Sequence, residues 1–418
     1  MSAQVESLGQ DPLWTLDYPE LGTGPIPVDP YVSAEYSHDE IRAVFGPSWM
    51  LACLESDIPA PGDYIVKSVP ALKASILIVR GQDGAIRGFH NACRHRGNQL
   101  VHSTCRGHAD KGFVCGFHSW TFGLDGRCMG VTDRSRFFDL DRGSLSLSPV
   151  SVETINHLVF YCPGGQARQS LAAYLGTMGD VLSGCEFDGL VLRAEWSVAI
   201  DANWKVFQDA FMEGYHVGTV HKRTAPSLYN GVDNPFCRHK YAKLHGLHRQ
   251  STVPLNPNAT LSPTEVMTRQ MMATAARAGG ARMRHKGLNL GNVPNYGFDI
   301  NGIYPNTLID PTNSGLFTME FVPVTVNRTN YVVRFYMSES KTWSERIAQE
   351  FLGTIQLREA LMEDLSTMEA TQRGLESGAL KNIIFSDQEI LLRHSHHVVD
   401  SAVRQYRETM KSVEQRNR

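Results

Sequence analysis

Two groups of residues in this 418-residue chain have the types and spacing that metal chemistry needs. The first reads Cys93-Arg94-His95, then nineteen residues, then Cys115-Gly116-Phe117-His118. Each pair falls where the local sequence predicts a hairpin tip, so two loops would each offer one thiolate and one imidazole. The rival is a Cys2His2 zinc site, which wants two residues between its cysteines and a helix bearing both histidines. Mixing the two ligand types in each loop instead suits a 2Fe–2S cluster with both cysteines on one iron and both histidines on the other. Neutral imidazoles in place of two thiolates raise the reduction potential, so such a cluster accepts electrons from a ferredoxin-like donor. His102 and Cys105, within the same stretch, are read as structural. Arg94, Arg96 and Gly97 are read as serving loop geometry and the local field.

The second group begins on a helix expected from Asn203 to Val217. Trp204, Phe207, Phe211 and Gly214 form its apolar face. Lys205, Asp209, Glu213 and His216 follow at steps of four, four and three, an ionisable stripe that on most helices is a solvated charge ladder. Here the stripe runs into His221, and Gly218 is expected to end or distort the helix so that the imidazoles of His216 and His221 converge. A third ligand is offered by Asp364, on an amphipathic helix expected from Ser344 to Gly374. Ile347, Phe351, Ile355, Leu361, Leu365 and Met368 form the apolar stripe of that helix. A carboxylate facing a core must be paired or bind a metal; Glu363 and Glu369 read as its exposed neighbours. Two histidines and one carboxylate make the facial triad of mononuclear non-haem Fe(II), with positions left open for dioxygen and substrate. Asp209 either hydrogen-bonds behind the ligands or pairs with Lys205, and Tyr215 is expected to pack rather than react.

The elements that must position these groups divide the chain in three. Residues 1–45 are rich in Pro and Gly, then briefly helical (SHDEIRAVFG). Residues 46–165 are short β-like runs: a strand at Ile76–Val79, a turn at Gly81–Gly84, a return over Ala85–Phe89, and a second hairpin signal at Phe122–Gly126. Residues 166–418 mix α and β patterns, with a helix over Ser170–Leu182 and two strands within 316–337 around Val326-Asn327-Arg328. Between them, 255–295 reads as a mobile excursion. Its Met267, Met271, Met272 and Met283 fit an ordinary packed helix slightly better than a flexible lid.

Composition excludes several classes. The chain has 43 acidic and 40 basic residues, a net charge of −3, so no basic surplus draws it to nucleic acid or an anionic membrane. No apolar run is long enough for a membrane span. The start, MSAQVESLGQDPLWTL, has no basic segment followed by an apolar one, so a reducing cytosol is expected and the eight cysteines read as ligands or buried thiols. No glycine fingerprint for a nicotinamide or flavin is present, so a separate reductase is expected.

Together the motifs resemble the large (α) subunit of the Rieske non-haem iron, or aromatic-ring-hydroxylating, oxygenases. The match runs over nearly the whole chain: Cys93-x-His95 with Cys115-x-x-His118, Asn203-Trp204-Lys205, Glu213-x-Tyr215-His216-x4-His221, and Glu363-Asp364 followed by Gln372-Arg373-Gly374-Leu375. The resemblance implies an α+β fold, a small all-β Rieske domain inserted near the N-terminus of a helix-grip catalytic domain (antiparallel sheet plus helices). It also implies a head-to-tail homotrimer, with or without a β subunit. In such a trimer Glu213 would link His216 to His118 of a neighbouring copy. The implied activity is that of a terminal oxygenase. It would use O2 and electrons from NAD(P)H, delivered by a ferredoxin or ferredoxin reductase, on an aromatic or other hydrophobic small molecule. Monooxygenation, including N- or O-dealkylation, is favoured slightly over cis-dihydroxylation of an arene, because family members acting on quaternary amines also carry Glu where most have Asp. A different class, a Rieske electron carrier, would leave His216, His221 and Asp364 idle. The second cluster loop departs from the usual Cys-Pro-Tyr-His-Gly-Trp, reading Cys115-Gly116-Phe117-His118-Ser119-Trp120.

Overall fold

The computed structural model describes residues 13–416, except 103–105, 142, 226, 262, 264–265, 268–269, 271–284, 313–314, 352–354 and 356. Cys105 and three of the four methionines singled out above, Met271, Met272 and Met283, lie outside the described residues; Met267 is exposed. The chain forms two compact units. One is Asp39–Tyr174, and the other joins the chain up to His38 with Leu175–Arg418.

The smaller unit is built of short antiparallel strands. Ala74–Arg80 is its central strand, flanked by Asp63–Val69 and Ile86–His90, with Arg106–His108 and Pro149–Val150 at the edges. Ile76, Leu77, Ile78 and Val79 are all fully buried, so both faces of this strand are covered, as a continuous apolar run requires. The turn after it closes where expected, with the Gly84 N–H donating to the Gly81 carbonyl at 3.0 Å. A second sheet pairs Leu158–Tyr161 with Val152–Ile155 and Met50–Leu54. A third, small sheet of Phe113–Val114, Thr121–Phe122 and Cys128–Gly130 carries one of the two cysteine–histidine loops. Phe89, Phe113, Trp120, Phe122 and Leu77 pack around Cys93 and Cys115 in one core.

The larger unit is dominated by a seven-stranded antiparallel sheet. Its order is Leu190–Ile200, Arg328–Ser338, Gly315–Thr325, Thr307–Thr312, Tyr296–Ile303, His248–Pro254 and Tyr241–His245. The hairpin of 316–337 forms as the alternation predicts, with Thr325 paired to Arg328. Helices Trp204–Phe211 and Arg358–Glu376 pack on one another, and the first also packs on the Gly315–Thr325 strand. The N-terminal segment is tied into this unit: Ile26–Pro27 pairs with Asn382–Ile383, and the Tyr31 carbonyl accepts from the Asn203 side chain at 3.2 Å.

Several expected helices are shorter than their patterns. Ser170–Leu182 splits into Leu171–Leu175 and Thr177–Ser183 at Gly176, whose φ of +50° a right-handed helix does not admit. Within the span expected as one helix, Trp343–Glu350 and Arg358–Glu376 are α-helical, and the described residues between them, Phe351, Ile355 and Leu357, have π-helical hydrogen bonding. The buried stripe of the second is Leu361, Asp364, Met368, Gln372 and Leu375, with Leu365 only half-buried. Polar groups on that stripe find partners, which a purely apolar template does not anticipate. The 27-residue helix Ile390–Arg416, packed on the Tyr241–His245 and His248–Pro254 strands, was not singled out from sequence.

Candidate metal centres and cavity

In the smaller unit, both cysteine–histidine loops are closed by backbone hydrogen bonds. The Cys93 N–H donates to the Asn98 carbonyl at 2.8 Å, and the Gly97 N–H to the Cys93 carbonyl at 2.9 Å. In the second loop the Cys115 N–H donates to the Trp120 carbonyl at 2.8 Å, and the Ser119 N–H to the Cys115 carbonyl at 2.9 Å. Gly97 (φ +75°) and Ser119 (φ +57°) are both left-handed. Ser119 stands where the usual loop of the resembled family has Gly, and a side chain there costs about 1–2 kcal/mol.

These loops bring the four expected ligands together. Cys93 and Cys115 are buried and share a hydrogen bond. The His95 and His118 rings lie 4.6 Å apart, and Trp120 stacks on His95 at 5.0 Å, nearly parallel. The Nδ1 atoms of both histidines are buried without a hydrogen-bond partner. Buried imidazole nitrogens are normally satisfied, so two orphaned ones beside two thiols fit a 2Fe–2S cluster well. The Asn98 side-chain amide also reaches Cys115 Sγ at 3.7 Å, a contact that stabilises negative charge on sulfur. His102 is exposed.

In the larger unit, helix Trp204–Phe211 starts at Asn203, whose side chain accepts from the Lys205 N–H at 3.0 Å. The expected continuation to Val217 does not occur. The helix ends at Met212, and a short second helix, Val217–Val220, has His216 at its N-cap and His221 at its C-cap. The break therefore lies at Met212–Gly214, before Gly218. At Gly214 the chain runs so close to Cys237 that a Cβ would sit 2.2 Å from the Cys237 carbonyl oxygen.

This break turns both imidazoles inward, with ring centres 5.3 Å apart. Nε2 of His221 lies 3.0 Å from Asp364 Oδ1, and Nε2 of His216 lies 3.4 Å from the same oxygen. Among the described residues, His216, His221 and Asp364 are the one group of three whose ligand atoms fall within 4.8 Å of one another. The outer nitrogens are also held. Glu213 Oε1 pairs with His216 Nδ1 at 2.5 Å, and Glu363 Oε2 with His221 Nδ1 at 3.1 Å. Carboxylates on Nδ1 orient the rings so that Nε2 faces the centre.

Glu363, which the sequence places as an exposed neighbour of Asp364, instead has a largely buried side chain partnered by His221, Thr224 and Arg223. Its signal in sequence, adjacency to Asp364, does not reveal that the two carboxylates grip one histidine from opposite sides. Burial alone would raise the Glu363 carboxyl, but these partners hold it below the usual range. Burial likewise works against a charged His216, yet Asp364 and Glu213 raise it to about 10. The same negative field that retains protons on apo imidazoles favours a divalent cation.

Asp209 and Lys205 lie behind this centre. Asp209 accepts from the Tyr31 hydroxyl and sits 3.3 Å from His396 Nε2, so it ties the N-terminal segment and the C-terminal helix to the site helix. Lys205 is buried beside the rings of Trp204, Tyr31 and Tyr36. Gln372 accepts from the Asn203 N–H at 3.0 Å and joins the Asp364 helix to the same start. Tyr215, expected to pack, is 65% exposed.

A cavity of about 460 Å³ meets all three ligand residues. Phe211, Val217, Leu228, Val253, Phe298, Ile300, Phe317 and Phe335 contribute to its largely apolar lining.

Comparison with known proteins agrees with both halves. Residues 48–148 match the Rieske [2Fe-2S] domain, and residues 187–405 match the ring hydroxylating alpha subunit (catalytic domain). The chain is 32% identical over 207 residues to the glycine betaine monooxygenase oxygenase subunit of Chromohalobacter salexigens, covering 49% of this chain and 45% of that protein. It is 35% identical over 199 residues to the large oxygenase component of the naphthalene 1,2-dioxygenase system of Pseudomonas aeruginosa, covering 46% and 42%. The matched part thus spans about half the length of these curated relatives. A crystal structure of a quaternary ammonium Rieske monooxygenase has the same fold, with a TM-score of 0.70, 22% identity, and coverage of 95% of this chain and 99% of that one. No helix among the described residues is long and apolar enough to cross a membrane. An orphaned imidazole pair beside two thiols, a three-ligand centre on a broken helix, and the two domain matches lead to one assignment: the chain belongs to the ring-hydroxylating alpha subunits of the Rieske oxygenases, enzymes that carry a Rieske 2Fe–2S cluster and a mononuclear iron.

Proposed function

We propose that this chain is the terminal oxygenase component of a multicomponent monooxygenase acting on an apolar small molecule. The observation that carries the reading is the convergence of His216 Nε2, His221 Nε2 and Asp364 Oδ1 at the edge of an apolar cavity. Cys93, Cys115, His95 and His118 would hold the cluster, and His216, His221 and Asp364 the iron. Iron bound there supplies dioxygen activation next to substrate.

The chain's own groups perform the rest. Glu213 and Glu363 fix the imidazole orientations through Nδ1, and the apolar lining excludes water from the reacting centre. Glu213 also borders a second cavity of about 280 Å³ with Tyr215, Phe236, His239 and Glu389. That opening supports an approach by His118 of a neighbouring copy in a homotrimer, making Glu213 the link between two centres. Electrons come from NAD(P)H through a separate ferredoxin or reductase. The seven described cysteines are free thiols, which suits a reducing cytosol.

Insertion of a single oxygen atom is supported by Glu213 at the bridging position and by the likeness to a glycine betaine monooxygenase subunit. The test is iron content and isotope incorporation. The protein should hold about three irons per chain, and Asp364→Ala about two, with the cluster's paramagnetic signal unchanged. Product formed under ¹⁸O2 with a surrogate reductase should carry one labelled atom. Full turnover by Asp364→Ala overturns the iron assignment, and two labelled atoms overturn monooxygenation.

A further inference from the structure

One wall of the 460 Å³ cavity is a face of the seven-stranded sheet, and strand register fixes its membership. Gly302, two residues from Ile300 and so on its face, pairs with Leu308, two residues from Asp310; Asp310 pairs with Phe317, and Phe317 with Phe335. Residues paired across antiparallel strands share a face. Ile300, Phe317 and Phe335 all line the cavity, and so does Asp310. Its neighbours at alternate positions, Leu308 and Thr312, line it too. A carboxylic acid therefore stands in an apolar wall, outside the metal-binding set.

Asp310 is 1% exposed, and its Oδ1 accepts the Asn301 backbone N–H at 2.8 Å. A carboxylate can accept about four hydrogen bonds, so one leaves much of its capacity unused. Burial, reinforced by Asp299, pushes the Asp310 carboxyl well above its ordinary range. Asp299 provides the contrast. It belongs to the opposite face of the sheet, and both its oxygens are used, by the Thr252 hydroxyl at 2.6 Å and the Asn289 N–H at 2.8 Å. No metal ligand lies within two residues of Asp310, so its position is not explained by the iron centre.

We propose that Asp310 is a specificity-determining residue that receives an amine nitrogen of the substrate, so that the cavity selects an apolar, aromatic-sized molecule bearing a basic N–H group. A protonated amine supplies both the hydrogen bond and the charge that a buried carboxylate lacks. Phe317, directly paired with Asp310, offers a ring to the same cation, which favours an amine over a hydroxyl. The proposal rests on the oxygenase reading for the identity of the cavity, and its test reads binding, not turnover.

Three probes of similar shape separate the outcomes: 2-phenylethylamine, 2-phenylethanol and propylbenzene. Equilibrium dialysis against the iron- and cluster-loaded protein should show the amine binding about tenfold tighter than the hydrocarbon. Asp310→Leu should lose that preference, weakening the amine about tenfold while holding propylbenzene within about threefold. Asp310→Asn, nearly the same shape, should bind amine and alcohol alike and guards against a folding defect in the leucine variant. The proposal is overturned if the wild type binds the amine no better than propylbenzene or prefers the alcohol. It is also overturned if Asp310→Leu weakens all three probes equally. In those cases an unchanged iron count leaves the oxygenase assignment standing.

Discussion

At the scale of single residues, the proposed iron centre is supported beyond its three candidate ligands. Each histidine is clamped between two carboxylates: His216 between Glu213 and Asp364, His221 between Glu363 and Asp364. Removing an outer partner frees the ring and alters which nitrogen carries the proton. Glu363→Gln should therefore weaken iron retention by about 10- to 100-fold while leaving the 2Fe–2S signal intact. Chelator competition followed by iron quantitation measures this, and unchanged retention would show that Thr224 and Arg223 alone account for the burial of Glu363. Asp209 has a different role: bound to Tyr31 and His396, it holds segments distant in sequence against the back of the site helix.

At the scale of elements, the centre depends on a helix that stops. From Trp204 to Phe211 the chain satisfies its own backbone; beyond Met212 it turns, and His216 and His221 bracket a four-residue helix. A continuous helix would place residues five apart about 140° from each other around its axis. The turn requires Gly214, because any Cβ there collides with the Cys237 carbonyl. Gly214→Ala should displace both histidines, reducing iron to about two per chain with the cluster preserved. Retention of about three irons would show that the Cys237 segment yields instead. The asymmetry is physical: the collision is with backbone, which cannot rotate away as a side chain does.

At the scale of the whole molecule, the two units each carry one metal-binding set, and the proposed trimer makes a neighbouring copy the electron source. Complementation reads this directly. Chains bearing Cys93→Ser lack the cluster and chains bearing Asp364→Ala lack the iron, so each alone should be inactive. Co-expressed in mixed trimers, they should recover a measurable fraction of turnover, since some interfaces pair an intact cluster with an intact iron. No recovery in verified mixed assemblies would place electron transfer within one chain.

Much of this was legible in the sequence because metal ligation is local in its vocabulary. A thiolate and an imidazole two or three residues apart on a turn, or a carboxylate on an apolar stripe, signal ligands before any fold is known. The strands of 74–90 and 315–338 were equally legible, since an apolar run between turn residues has few other uses. The helix break at Met212 was not, because the apolar and ionisable periodicity continues through it; the close approach of Gly214 to Cys237, 23 residues on, is a contact between distant segments that no local pattern encodes. Nor was the clamp by Glu363, which depends on the rotation of one helix against a segment 142 residues earlier. Asp310 is the extreme case. Within Thr307–Thr312 it is an unremarked acid, and only the register of four strands turns it toward a cavity. Residue type and short spacing thus singled out the candidate ligands of two metal centres, whereas tertiary packing decided how those side chains are oriented and what cavity stands beside them. Orientation and enclosure are set by contacts between segments far apart along the chain.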